Sequence, residues 1–163
     1  ADLAGLKIRT IQSSIYVKTI ELMGASPTPM AFGEVYTSLQ TGVIDGFEHD
    51  PATTVTQRFY EVASTIVRTR HIAGILGLWA SSVTLARLPP EVVAIVDQAA
   101  REAGREQRAI GPEEEQKAVV TLTERGMVVR DIELGPIRDR AEALWLREAR
   151  TLGVGSWLDV IRA

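Results

Sequence analysis

Apolar and polar residues alternate near the start of the chain. Leu6 and Ile8 fall on one face and Lys7 and Arg9 on the other, a period of two that predicts a strand over residues 6–10. Ser13 or Ser14 then caps a helix whose apolar stripe is Val17, Ile20 and Leu22-Met23, with Gly24 as its stop. Pro27-Thr28-Pro29-Met30 can only be extended, because each proline fixes its own φ and moves the preceding residue out of the helical region. Val35, Tyr36 and Leu39 recur at one-turn spacing and end at Gly42, and Val43 to Phe47 reads as another short strand. Residues 24–51 thus hold strand, helix and strand, the β-α-β alternation of a parallel sheet.

Pro51 sits in the first turn of a helix expected to reach about residue 63. Residues 65–72 alternate Ile66, Val67 and Ile72 with Arg68 and Arg70, as in an exposed-edge or crossover strand. Residues 75–83 are mostly apolar and read as a strand buried on both faces. A long helix starts at Pro89-Pro90-Glu91 and continues to about residue 125, with Gly111-Pro112 expected to kink or split it. A short strand over 127–130, a helix over 136–152 and a helical turn or two over 157–161 complete the chain.

Composition narrows the class. The 163 residues are 45% hydrophobic and 24% charged, as in a globular protein with a true core. Net charge is −3, which argues against a nucleic-acid surface or an anionic membrane surface. There is no cysteine, so disulfides and thiolate-bound metals are excluded. The longest apolar run, 72–80, is too short to span a bilayer.

In an open α/β sheet, ligands sit beyond the carboxyl ends of the strands. The strands here end at Arg9, near Met30 to Phe32, and at Glu48-His49-Asp50, which brings a cation, an aromatic face and a hydrogen-bonding group to one rim if the sheet is parallel. That set suits a small organic acid. Arg9 offers a planar fork matched to a carboxylate in two hydrogen bonds; its competing reading is a surface arginine paired with Asp45 or Glu48.

Gly24-Ala25-Ser26-Pro27-Thr28-Pro29-Met30, the segment Glu34-x-Tyr36-x-x-Leu39-Gln40-Thr41-Gly42 and the turn Ile44-Asp45-Gly46-x-Glu48 resemble the extracytoplasmic solute-binding subunits of TRAP transporters, the DctP-type receptors. The resemblance starts at Gly5-Leu6-Lys7-Ile8-Arg9, passes through Phe59-Tyr60-Glu61-Val62 and becomes one of pattern after about residue 105. It implies an α/β, periplasmic-binding-protein-like (type II-like) lobe with a parallel-rich sheet flanked by helices, plus a long C-terminal helix. It further implies that residues 1–70 form the second lobe of a two-lobed receptor. Residues 71–130 would be crossing strands and a long helix partly belonging to or bracing the first lobe, and 131–163 C-terminal helices. The N-terminal lobe, with a signal peptide, is expected to precede this part in a larger protein.

On the same resemblance Arg9 clamps the substrate carboxylate and Phe32 packs on its carbon skeleton, core packing being the alternative for Phe32. His49 stands where the family commonly has an asparagine that hydrogen-bonds the substrate, which implies an altered ligand preference. Asp50 would repel an anion or orient His49, and Gln12, Ser13 and Ser14 are candidates for secondary contacts. Glu34, Tyr36 and Gln40 match the motif but read as structural, with Gly42 and Gly46 as turn glycines of unusual φ. The implied function is capture of a small carboxylate between lobes in the periplasm, without covalent chemistry or cofactor, for sodium-coupled uptake by membrane subunits. Apolar surface made for the first lobe would lie bare and favour dimers.

Other classes fare worse. Asp45, Glu48, His49 and Asp50 cannot all turn inward from one loop to hold a metal, and no His-Glu-x-x-His, Gly-x-Ser-x-Gly or phosphate-loop pattern occurs, so neither a metal nor an enzyme is expected. The effector domain of a transcription regulator shares the two-lobed architecture and is the remaining alternative.

Overall fold

The protein is described here by a computed structural model covering residues 3–72 and 74–162. Strand β1 (Lys7–Thr10) is central in a three-stranded parallel sheet, between β2 (Ser26–Pro29) and β3 (Gly46–Phe47). The register pairs Arg9 with Thr28 on one side and with Phe47 on the other. Two prolines lie in β2, and they fit because β2 is an edge strand whose missing N–H groups cost no ladder bond.

Helix α1 (Ser14–Met23) crosses from β1 to β2 and ends where Gly24, at φ 96°, donates its N–H to the carbonyls of Ile20 and Glu21. After β2, a 3-10 turn (Phe32–Glu34) leads into α2 (Val35–Gln40), and Glu34 accepts the Ala31 N–H at 3.0 Å. β3 is shorter than the pattern predicts. The Val43 and Ile44 N–H groups instead close onto the Ser38 carbonyl, finishing α2, so only Gly46 and Phe47 join the ladder. Gly42 has the expected left-handed φ of 72°, but Gly46 does not; its reason is space, since a Cβ there would meet Ile8 Cδ1 at 3.0 Å.

Val35, Ile44 and Phe59 form the buried centre of this unit, with Met30, Tyr36, Leu39, Phe47 and Val62 packed around it. Helix α3 (Pro51–Thr56) is shorter than expected, because Arg58 turns left-handed at φ 58° and the chain continues as a 3-10 turn (Phe59–Glu61). That turn seats Phe59 in the core, which a straight helix to residue 63 would not.

A second, two-stranded parallel sheet pairs β4 (Thr65–Arg68) with β5 (Val128–Asp131), and Arg68 bridges to Asp131 across it. The strand expected over 75–83 does not form. Residues 75–81 have no regular secondary structure and no strand partner among the described residues, and Ile75, Leu76 and Trp79 are 93%, 98% and 93% exposed. A short helix, α4 (Ser82–Leu85), follows, capped by Ser81.

Helix α5 (Pro90–Glu124) runs 35 residues without the expected split at Pro112. Pro112 and Arg108 both face solvent, so water satisfies the carbonyl that loses its partner. Among the described residues of α5 only Ala118 and Leu122 are buried, and the helix packs against α3. Helix α6 (Gly135–Thr151) packs on α1, where Lys18 bonds Glu148 at 2.8 Å, and α7 (Gly155–Arg162) folds back on α6.

Candidate functional site

Because all three strands of the first sheet run parallel, their carboxyl ends do meet at one rim. Arg9, one residue before the end of β1, sends its side chain into this rim and not to solvent: it is 2% exposed. Its Nε and Nη2 both donate to the Met30 carbonyl, at 3.2 and 3.0 Å. That carbonyl lies just past β2, where the ladder has stopped and the oxygen is free to accept. The pairing with Asp45 or Glu48 considered for an ordinary surface arginine is not made. Asp45 Oδ2 instead accepts the Lys7 N–H at 2.8 Å, and the Glu48 carboxylate acts on the Arg9 guanidinium through its charge, while the Glu48 N–H bonds the Arg9 carbonyl.

A guanidinium carries five N–H donors. Two of Arg9's go to Met30, and the terminal edge, Nη1 with the second hydrogen of Nη2, remains. Nη1 is buried and has no hydrogen-bond partner among the described residues. A buried donor without an acceptor costs about 1–3 kcal/mol, so this edge is poised for an anionic oxygen. Burial lowers the Arg9 pKa and the charge of Glu48 raises it in return, but an arginine stays protonated.

Phe32 begins the 3-10 turn after β2 and is 38% exposed. Its ring centre lies 5.8 Å from the Arg9 guanidinium carbon, within cation–π range. The same ring is 5.2 Å from the imidazole of His49 and 6.0 Å from Phe59. Phe32 therefore links Phe59 of the core to Arg9 and His49 at the rim. His49 Nδ1 lies 2.8 Å from Asp50 Oδ2. Asp50 caps α3, its Oδ1 accepting the Thr53 N–H at 2.7 Å. Burial pushes the Asp50 carboxyl up, but the hydrogen bonds from Thr53 and His49 outweigh it and hold the pKa below the usual range. Gln12 stands apart: it is exposed on the turn after β1 and makes no hydrogen bond among the described residues. Ser13 and Ser14 flank the start of α1, and the Ser13 hydroxyl makes no capping bond.

Glu48, His49 and Asp50 open onto a cleft of about 510 Å³. Arg68, His71 and Glu115 of α5 also line it. Arg9 and Phe32 do not line the cleft; Phe32 reaches it through its ring contact with His49. Burial pushes the Glu48 carboxyl above its ordinary value, and the charge of Arg9 counters it in part. His71, whose Nδ1 meets the Thr69 hydroxyl at 2.6 Å, is held below the usual imidazole range by burial, and its Nε2 is buried without a partner among the described residues. Sequence reasoning did not single out Arg68 and His71, because only the folding of β4 against β5 turns them toward Glu48. Among the described residues no group of three or more histidines, cysteines and acids is placed to hold a metal.

Comparison with known proteins gives this geometry a context. Residues 1–151 match the family described as bacterial extracellular solute-binding protein, family 7, the DctP family. The chain belongs to that family. A 2,3-diketo-L-gulonate-binding periplasmic protein of Escherichia coli is 36% identical over 134 residues, covering 82% of this chain and 41% of the relative. A TRAP periplasmic solute-binding protein of Sulfitobacter, solved with bound β-D-galacturonate, superposes with TM-score 0.83 at 28% identity, over 96% of this chain and 52% of that one. Another, from Chromohalobacter salexigens with bound D-glucuronate, gives TM-score 0.81 at 28% identity, over 92% and 50%. The chain thus spans about half the length of the DctP-family proteins it matches. Its α/β architecture, with parallel strands and one long helix, is that of a lobe of TRAP periplasmic binding proteins. The family and these neighbours are binding proteins, not enzymes, and extracytoplasmic. Among the described residues no helix is long and apolar enough to cross a membrane.

Proposed function

We propose that this chain forms the second, ligand-clamping lobe of a TRAP-type receptor for a small sugar acid. The observation that carries this reading is the terminal edge of the Arg9 guanidinium, buried, charged and short of an acceptor beside an aromatic ring. A carboxylate supplies two parallel acceptors at the spacing of that edge. The carbon skeleton would lie against Phe32, and the hydroxyl-bearing end would extend toward His49 and the cleft. The galacturonate and glucuronate bound by relatives have this makeup, a carboxylate on a hydroxylated ring. Asp50, bonded to Thr53 and His49, acts as a support and not as a ligand contact, and Gln12 is at most peripheral.

Residues 1–70 are the core of this lobe in our reading, and the exposed apolar stretch at 75–79 is where it meets the first lobe. Capture would be by closure of two lobes on the ligand in the periplasm, with release to membrane subunits that couple uptake to sodium. The regulator alternative finds no support in these likenesses.

A thermal-shift screen of uronates, aldonates and dicarboxylates on the receptor carrying both lobes tests the proposal. We expect uronates to raise Tm and Arg9→Lys to abolish most of that shift. Stabilisation by neutral sugars or amines, and not by acids, would refute it.

A further inference from the structure

His49 Nδ1 has two neighbours that it cannot serve at once. Asp50 Oδ2 lies at 2.8 Å, and the Asp50 backbone N–H points at the same nitrogen from 3.0 Å. Either Nδ1 carries a hydrogen and donates to the carboxylate, or it carries a lone pair and accepts from the amide. Asp50 decides between them. Its Oδ1 accepts the Thr53 N–H at 2.7 Å and its Oδ2 the Thr53 hydroxyl at 2.9 Å, which commits the carboxyl to the ionised, accepting form. An ionised oxygen facing a ring lone pair at 2.8 Å is repulsive, whereas a hydrogen between them makes a charge-assisted bond. Phe32 packs beside the imidazole, with ring centres 5.2 Å apart and the rings tilted by 51°.

We propose that Asp50 fixes the neutral His49 ring with its hydrogen on Nδ1, so that Nε2 offers a lone pair to a hydroxyl group of the bound acid. Asp50 is then a positioning residue that sets ligand choice through His49. Nε2 has no partner among the described residues, and His49 lines the cleft. A lone pair there can take an O–H donor but repels a carboxylate. The acid end therefore belongs to Arg9, and His49 reads the hydroxylated end. This favours hydroxylated acids over bare dicarboxylates of similar length. The inference rests on the functional reading above only for the ligand; the position of the hydrogen stands on the geometry of His49, Asp50 and Thr53.

Asp50→Asn provides the test, since asparagine caps a helix as well as aspartate does. Its amide oxygen can still take the Thr53 N–H, while its NH2 group would donate to His49 Nδ1 and drive the hydrogen to Nε2. Nitrogen-15 NMR above the titration range of the ring distinguishes protonated from bare ring nitrogens. Signals absent from His49→Gln identify His49, since the chain has only one other histidine. We expect a protonated Nδ1 in the parent and a protonated Nε2 in Asp50→Asn. A bare Nδ1 in the parent, or the same pattern in both, would overturn the inference. On the two-lobed receptor, Asp50→Asn should weaken D-glucuronate on the order of tenfold, one hydrogen bond's worth, without weakening succinate. Equal glucuronate affinity despite a switched ring would overturn the hydroxyl assignment. A parent that shows the expected nitrogen pattern but binds no uronate would overturn the functional reading and leave the Asp50-set hydrogen position standing.

Discussion

A buried charge is costly unless its hydrogen-bonding capacity is met. Arg9 is only partly provided for: Met30 takes one edge, Phe32 covers a face, and Nη1 is left over. The position of Arg9 at a strand end was legible in the sequence. Its inward turn was not, since that depends on a backbone carbonyl twenty-one residues away along the chain. Asp50 shows a second division of labour, capping α3 and holding His49 at once. Asp50→Ala should destabilise the fold by about 1 kcal/mol in chemical denaturation, and Asp50→Asn by much less. The pKa of Asp50 is depressed in the folded state, so its contribution is present above the unfolded carboxyl pKa and fades as pH falls through the folded value. The gap between parent and Asp50→Ala should therefore close under acid; a gap that widens would show that the carboxylate is not the stabilising form.

Among the elements, the helical period of residues 35–39 was readable because Val35 is buried in the core and Tyr36 and Leu39 pack against it. Where the reading failed, a distant contact had intervened. Gly46 looked like a turn glycine, but Ile8 lies where its side chain would go. Gly46→Ala should cost about 1–3 kcal/mol through this clash, and the double variant with Ile8→Val should recover part of the loss in urea unfolding. Full additivity of the two changes would contradict the contact. In α5 the pattern led us to expect a break, yet Pro112 is accommodated on an exposed face. Proline in a helix interior is disfavoured by roughly 3 kcal/mol relative to alanine, so Pro112→Ala should raise Tm. An unchanged or lowered Tm would mean that the helix uses a bend at this point.

At the scale of the molecule, residues 75–79 show how a sequence can be right about hydrophobicity and wrong about burial. Ile75, Leu76, Leu78 and Trp79 have the composition of a buried strand, but no described strand of this chain pairs with them. A contiguous exposed apolar stretch of this kind drives association. The chain on its own should self-associate at high concentration, and Leu76→Lys with Trp79→Lys should return it to a monomer in light scattering; a monomeric parent would argue that the stretch folds back on itself.

Arg9 is a cation that both the β1 register and the ring of Phe32 hold at the rim. Calorimetric titration of D-glucuronate into the two-lobed receptor and its Arg9→Lys variant tests it most directly. Lysine keeps the charge and loses the fork, so the account predicts affinity reduced on the order of a hundredfold, two charge-assisted bonds being replaced by a weaker point contact. Equal affinity in the two proteins would contradict it.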